Sequence, residues 1–186
     1  MADPIIEFAD VDECVAWFEA HHADHGGFRC KLGKGKHATV TYADVLDVAL
    51  CFGWIDGQKW GFDDAYWLQR FTRRGPRSKW SKINRSKTDA LIAAGKMRPA
   101  GQAAIDAAKA DGRWEAAYAG AAAATVPDDL AAALAADPVA DAFFRTLGGN
   151  NRYSILYRIQ DAKKPETRAA RIEKFVGMCH RHETIY

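Results

Sequence analysis

Residues 54–72 carry the pattern that most constrains the fold. From position 54 to 62, alternate residues are large or polar, and the positions between them include Gly57 and Gly61. A period of two residues is that of a β-strand, whose successive side chains point to opposite faces. Asp63 and Asp64 favour a turn, and residues 66–72 alternate again. The sequence therefore predicts a β-hairpin. The predicted first face of its leading strand consists of Trp54, Asp56, Gln58, Trp60 and Phe62.

The segments around the hairpin predict the fold class. Asp10 and Thr41 stand where helix N-caps are expected, and a short alternating run over residues 28–32 predicts a strand. Strand patterns end at Gly75 and Pro76, and the following chain has the pattern of helices separated by glycine and proline. We predict an α+β fold, with a small, mostly antiparallel sheet and two helices followed by an all-helical C-terminal half.

The length of the chain favours few domains. Its 186 residues fit one domain or a domain with a helical extension. We predict an α+β region with the hairpin at 1–75 and a helical region at 76–186, packed together as one compact unit.

Charge is unevenly distributed although the formal net charge is only +2. Residues 70–87, the basic segment, contain no acid. Its eight bases are Arg70, Arg73, Arg74, Arg77, Lys79, Lys82, Arg85 and Lys87. Such a block indicates either an anionic partner or a solvated basic surface. A second basic cluster at 163–171 is interleaved with Glu166 and is typical of a solvated helix face.

The hairpin and the basic segment together predict a ligand site. Indole rings stack on planar groups, and guanidinium groups bind phosphate or carboxylate. Ser78 and Asn84 flank a predicted helix start, where they can cap the helix or bind an anion at its N-terminus. The predicted ligand-binding residues are Trp54, Asp56, Gln58, Arg70, Arg73, Arg74, Arg77, Ser78, Trp80 and Asn84. For Trp54, Trp60 and Trp67 taken individually, a place in the hairpin core is favoured over a ligand contact.

The sequence gives little support for catalysis, metal binding, disulfides or a signal peptide. Asp56 is the one candidate general base, and no second carboxylate or cofactor motif accompanies it. His21 and His25 are one helical turn apart but lack further metal ligands at suitable spacing. The four cysteines show no paired spacing, and the N-terminus lacks the pattern of a signal peptide. We therefore expect a reduced, cytoplasmic protein with no metal, no cofactor and no direct membrane insertion.

Four stretches resemble the YdeI/OmpD-associated family, also called bacteriocin-protection proteins. They are ALCFGWIDGQ at 49–58, YWLQRFTRRGPRSKWSKIN at 66–84, GKMRPAGQAAIDAAKADGRWEAAY at 95–118 and NRYSILYRIQDAKKPETRAARIEKFVGM at 151–178. The resemblance implies a bacterial protein linked with tolerance to stress or antimicrobial agents. It implies no established reaction and no catalytic residues.

The favoured function is non-enzymatic recognition of an anionic or aromatic ligand, such as a phosphate-bearing small molecule, by the hairpin and the basic segment. Two alternatives remain open. The first is a nucleic-acid-binding protein that holds phosphates on the basic segment and stacks bases on tryptophan. The second is an enzyme centred on Asp56.

Overall fold

The structure, a computed structural model, describes residues 3–186 and consists of two compact units. The first unit ends at Ala117, and the second is Tyr118–Tyr186. The first contains β1 (Ile5–Ile6), α1 (Val11–His21), β2 (Gly27–Gly33), a 3₁₀ turn (Gly35–His37), α2 (Tyr42–Cys51), β3 (Trp54–Gly61), β4 (Tyr66–Arg73), α3 (Lys82–Ala93) and α4 (Pro99–Ala110). The second contains a 3₁₀ turn (Ala121–Ala123), α5 (Asp128–Ala135), α6 (Pro138–Thr146), α7 (Gly149–Gln160) and α8 (Pro165–His180). The α+β class is confirmed.

The strands form one sheet in the order β1-β2-β4-β3. β1 pairs with β2 in parallel, and the other two pairings are antiparallel. The predicted hairpin is confirmed as β3 and β4. Its turn is held by Asp63, whose Oδ1 accepts hydrogen bonds from the backbone N–H groups of Ala65 and Tyr66 at 2.8 and 2.7 Å.

A β-bulge divides β3 into two parts. Asp56 lies opposite Phe71 and Lys59 lies opposite Gln69, so Gly57 and Gln58 together face one residue of β4. Because an extra residue reverses the faces of all later side chains, the two ends of β3 differ in orientation. Trp54 is fully buried, whereas Trp60 lies on the other face and is 43% exposed. The prediction that these two tryptophans share a face is wrong.

One face of the sheet, the inner face, packs on α1 and α2. Its core side chains are Phe28, Cys30, Leu32, Trp54 and Phe71. Trp54 meets the ring of Phe18 edge-on, with 5.4 Å between the ring centroids. Its Nε1 donates to the carbonyl oxygen of His22 at 3.1 Å, so the polar atom of this buried indole is satisfied. The favoured placement of Trp54 in the core is the one observed.

Local sequence explains where the first helices start. The Asp10 side chain accepts from the N–H of Glu13 and caps α1. Thr41 and Asp44 form a reciprocal capping box at the start of α2. Ser81 caps α3 by accepting from the N–H of Asn84 at 3.1 Å. These contacts satisfy backbone donors that the first turn of a helix leaves without helical partners.

The buried face of α3 contains polar residues. The buried residues of this helix are Asn84, Thr88 and Leu91. Ile83 is 56% exposed. Thr88 is accommodated because its hydroxyl donates to the carbonyl of Arg85 at 2.8 Å. A polar but locally bonded face therefore packs inward.

Two glycines let α4 approach the end of α2. Gly53 has φ +74, and a Cβ there would lie 2.8 Å from the carbonyl oxygen of Ala100. A Cβ at Gly101 would overlap the carbonyl oxygen of Cys51. The N–H of Arg98 donates to that same carbonyl at 3.1 Å. The absence of side chains at these positions thus brings the first turns of α4 against the loop that precedes β3.

The second unit has a helical core of its own. Ile172, Phe175 and Cys179 of α8 are buried, and Val176 packs beside them. They meet apolar residues of the neighbouring helices, including Leu130, Leu134, Phe144, Ile155 and Ile159.

Candidate functional site

Three of the predicted site residues belong to β3 and have separate environments. Trp54 is in the core. Asp56 is half-buried and accepts a hydrogen bond from the hydroxyl of Tyr42 at 2.9 Å. Gln58 is exposed in the bulge, where its carbonyl oxygen accepts from Gln69 Nε2 at 3.3 Å. The structure therefore does not bring the side chains of these residues together as one face.

Several cations of the basic segment are engaged in structural contacts. The guanidinium of Arg74 stacks on Trp80 at 3.6 Å from the ring centroid, and Nη1 donates to the carbonyl of Lys79 at 3.0 Å. Arg85 lies over Trp114 at 4.8 Å and donates to its carbonyl at 2.7 Å. Trp80 and Trp114 meet edge-on at 4.8 Å. Part of the basic segment therefore holds a buried tryptophan pair.

Ser78 and Asn84 have local roles. Ser78 Oγ accepts from the N–H of Gly75 at 3.0 Å and stabilises the turn after β4. The carbonyl oxygen of Ser78 accepts from Arg113 Nη1 at 3.0 Å. Asn84 is buried on α3 and donates its backbone N–H to Ser81.

Arg73, Arg74 and His22 meet at one concavity, which we call the alcove. It has a volume of about 380 Å³. Its lining residues are His22, Ala23, Phe52, Gly53, Arg73, Arg74, Ala100, Ala103 and Ala104. Arg73 ends β4 and Arg74 follows it, His22 and Ala23 follow α1, and α4 supplies the other three alanines. The close approach of α4 to Gly53 forms the apolar wall.

The alcove is rich in positive charge. None of its nine lining residues is an acid. Arg73 is exposed, and its Nη2 lies 3.4 Å from the carbonyl oxygen of His25. His22 Nδ1 lies 2.8 Å from the carbonyl oxygen of Phe18. Because a carbonyl oxygen only accepts, Nδ1 must donate, and Nε2 of the neutral ring is then an acceptor, so the donors available to a ligand are those of the arginines. The alcove therefore offers hydrogen-bond donors beside an apolar wall.

A second concavity of the first unit has a mixed character. It measures about 320 Å³ and lies beside α1 and α2. Three carboxylates, those of Asp12, Asp44 and Asp47, line it with Lys96 and Arg98. Hydrogen bonds from the side chain and backbone of Thr41 lower the pKa of Asp44, so this carboxylate stays ionised at neutral pH. Acids therefore make this concavity a weaker anion site than the alcove.

The other side of the sheet, the outer face, carries cations and aromatic rings. Arg29 and Arg70 are register partners, and Lys31 and Trp60 both flank Leu68. Lys31 Nζ lies 3.8 Å from the ring centroid of Tyr66. Sequence reasoning missed this grouping because the bulge sets the face of Trp60, and because Arg29 and Lys31 come from a distant strand. The signal available in the sequence was Gly57, since a glycine inside a strand often marks a bulge.

The thiols and the two histidines near Trp17 are held in packed surroundings. All four cysteines are free and buried. Burial raises the pKa of Cys14 to about 12 and raises the pKa of Cys30, Cys51 and Cys179, which keeps these thiols protonated at neutral pH. The rings of His21 and His25 pack on Trp17 at 5.2 and 5.7 Å. Among residues 3–186, no three His, Cys, Asp or Glu side chains are grouped to hold a metal ion.

No helix within the described part of the chain has the length and apolar character to cross a bilayer.

Two family models match different parts of the chain. Residues 6–104, more than half of the sequence, match the family described as Domain of unknown function (DUF8412). Residues 123–182 match the family described as Bacteriocin-protection, YdeI or OmpD-Associated. The resemblance seen in the sequence is therefore confirmed for the stretch that carries its last motif, and the alcove lies within the first match. No curated protein and no solved structure matches the chain.

Proposed function

Because the chain belongs to the DUF8412 family and its second unit to the bacteriocin-protection, YdeI or OmpD-associated family, we propose that it is a non-enzymatic tolerance protein that binds a small anionic ligand. The second match fits a protein of bacteriocin-protection type. The proposed ligand site is the alcove of the first unit. Its ligand carries a phosphate or carboxylate group on a small apolar or aromatic body.

One observation carries this proposal: Arg73, Arg74 and His22 line the same concavity, and no acid lines it. Charge-assisted hydrogen bonds from arginine to phosphate or carboxylate are about twice as strong as neutral ones. A volume near 380 Å³ lies within the range of small-molecule sites, roughly 300–1,000 Å³. The alcove therefore has both the donors and the space for such a ligand.

The lining residues have different parts in the proposed complex. Arg73 is the exposed donor, and its guanidinium can turn from His25 to the ligand. Arg74 is fixed by its stacking on Trp80 and contributes positive charge in a set direction. Phe52 and the alanines of α4 form the apolar wall against which the body of the ligand packs. An alcove with cationic donors on one side and an apolar wall on the other favours ligands that combine one anionic group with an apolar ring or chain.

We favour binding over turnover because of what the alcove lacks. Its nine lining residues include no hydroxyl, thiol or carboxylate side chain. Asp56, the one candidate base from the sequence, is not among them, and its carboxylate accepts a hydrogen bond from Tyr42.

A thermal-shift screen at low salt tests the proposal. The probes are inorganic phosphate, pyrophosphate, benzoate, phenyl phosphate and nucleoside monophosphates. Binding to the native state raises the melting temperature by mass action. We expect phenyl phosphate to stabilise the protein more than inorganic phosphate does, because its phenyl ring also packs against the apolar wall.

Arg73→Ala and Arg77→Ala form a matched pair for this screen. Both arginines are exposed, but only Arg73 lines the alcove. We expect Arg73→Ala to weaken binding roughly tenfold or more, since hydrogen bonds to charged groups contribute about 1.5–3 kcal/mol. Arg77→Ala should retain nearly full affinity. A lack of stabilisation by every probe, or an equal loss in both variants, would contradict the proposal.

A further inference from the structure

We infer that the outer face of the sheet is a binding surface for single-stranded nucleic acid. Trp60 and Phe62 would stack on bases, Tyr66 would hold Lys31 beside them, and Arg29, Lys31 and Arg70 would contact phosphates. This surface is separate from the alcove and does not depend on the small-anion proposal.

The aromatic part of the surface is at the hairpin end of the sheet. Trp60 is 43% exposed and Phe62 is 49% exposed, although both are large apolar side chains. Tyr66 is half-buried on β4, the strand that returns from the turn. Exposed rings give stacking surfaces for unpaired bases, and stacking tolerates any base because every base has a flat face. Base pairs in a duplex hide those faces, so the rings select a single strand.

The cationic part lies on the two neighbouring strands. Arg70 of β4 lies directly opposite Arg29 of β2, and Lys31 is two residues further along β2 on the same face. Lys31 and Trp60 both neighbour Leu68, one on each side. Adjacent strands are about 4.8 Å apart, so the backbones of Lys31 and Trp60 are about 10 Å apart. A phosphate held by Lys31 therefore lies within reach of a base on Trp60.

The turn after β2 extends the positive charge beyond Lys31. A Cβ at Gly33 would overlap the carbonyl of His37, so this glycine lets the 3₁₀ turn fold back against the end of β2. The His37 ring lies 6.0 Å from the ring of Tyr66. Lys34 and Lys36 are exposed in this turn. Cations therefore continue along the aromatic end of the outer face.

The chain's own N-terminal segment already occupies the cations in the way an anion would. Asp3 Oδ2 accepts from Arg70 Nε at 2.5 Å, and the carbonyl oxygen of Asp3 accepts from Arg29. Glu7 Oε2 accepts from Lys31 Nζ at 2.8 Å. These pairs are partly exposed, with 23–39% of each side chain accessible, so phosphate can compete with the carboxylates. The segment thus acts as a weak internal competitor.

Fluorescence anisotropy with labelled oligothymidylate tests the inference directly. Wild-type protein should bind the single strand at low salt and bind its duplex with oligoadenylate much more weakly. Trp60→Ala should weaken binding roughly tenfold to a hundredfold, as expected for the loss of one stacked base. Trp60→Phe should restore most of the affinity, because a phenyl ring also stacks.

Lys31→Ala and Lys59→Ala provide a matched control for charge. Trp60 and Lys59 are neighbours in β3, but the pairing of Lys59 with Gln69 puts Lys59 on the inner side of the sheet. Lys31→Ala should lower the slope of log affinity against log salt by about 0.7, the value for one phosphate contact on a single strand. Lys59→Ala should leave that slope close to the wild-type value.

Removal of the two carboxylates that compete with phosphate should strengthen the binding of the single strand. The double variant Asp3→Asn, Glu7→Gln frees Arg70 and Lys31, so the dissociation constant for oligothymidylate should fall. The inference is wrong if the wild type binds no single strand at low salt, or if Lys59→Ala weakens binding as much as Lys31→Ala does. It is also wrong if Trp60→Ala instead converts a dimer to a monomer in sedimentation, since the face would then be a protein interface.

Discussion

Trp54 and Trp60 lie on the same strand and have opposite environments. Trp54, before the bulge, is fully buried against α1, and its indole N–H is bonded to His22. Trp60, after the bulge, is 43% exposed beside the cations of the outer face. A structural tryptophan and one that is available to a ligand are thus only six positions apart in the sequence. The comparison shows that burial, rather than residue type, assigns a role to each ring.

The largest expected effect is that of Trp54→Ala. Loss of a fully buried indole leaves a cavity and typically costs about 3–5 kcal/mol of unfolding free energy. Urea denaturation measures this cost. Trp54→Phe is the control, since it keeps an aromatic ring and loses the hydrogen bond to His22; it should cost much less. A cost below about 1 kcal/mol for Trp54→Ala would mean that the inner face does not depend on this ring.

A second prediction concerns the bulge that separates the two tryptophans. Gln69 is 4% exposed, and its Nε2 donates to the carbonyl oxygens of Gly57 and Gln58 at 2.9 and 3.3 Å. Gln69→Leu removes both bonds while keeping a similar side-chain volume, and should cost about 1–3 kcal/mol. The hydrogen-exchange rates of the β3 backbone amides should rise in the same variant. Unchanged exchange and stability would show that the bulge is fixed by other contacts.

A third prediction uses the thiols packed at the inner face. Burial raises the pKa of Cys14 from 9.0 to about 12, so between these pH values the unfolded chain releases a proton that the folded chain keeps. Stability is therefore fully present below pH 9.0 and decreases as the pH rises toward about 12. The slope is at most about 1.4 kcal/mol per pH unit for this thiol. Urea denaturation at several alkaline pH values should show a smaller slope for Cys14→Ala than for the wild type. Equal slopes in the two proteins would contradict a raised pKa of Cys14 in the folded state.

The smallest expected effect on stability is that of Trp60→Ala. Substitutions at exposed positions usually change the unfolding free energy by no more than about 0.5 kcal/mol. Urea denaturation of this variant should therefore match that of the wild type, while its affinity for oligothymidylate falls. A loss of stability comparable to that of Trp54→Ala would remove the contrast between the two faces.

The sequence predicts the parts of this arrangement that depend on local chemistry. The caps at Asp10 and Thr41 and the turn at Asp63 are set by hydrogen bonds within a few residues, and each is observed as expected. The α+β class follows from the same local patterns. Such contacts can be predicted without knowledge of the tertiary structure.

The parts that the sequence does not predict depend on distant contacts. The bulge is held by Gln69, twelve residues from Gly57, and one extra residue changes the face of Trp60. The alcove joins residues from 22 to 104, and its wall exists because Gly53 and Gly101 allow α4 to approach. Arg74 stacks on Trp80, whereas its neighbour Arg73 is exposed. This difference also depends on contacts between distant parts of the fold. A charge count cannot distinguish these two arginines.

The most direct test of ligand binding in the alcove is to observe the arginine side chains themselves. In ¹⁵N-labelled protein, the Nε–H signals of Arg73 and Arg77 are assigned by substitution and followed while phenyl phosphate is added. The proposed site predicts a saturable shift of the Arg73 signal and little change at Arg77. A shift at Arg77 with an unchanged Arg73 signal, or no saturable shift at either arginine, would contradict a binding site in the alcove.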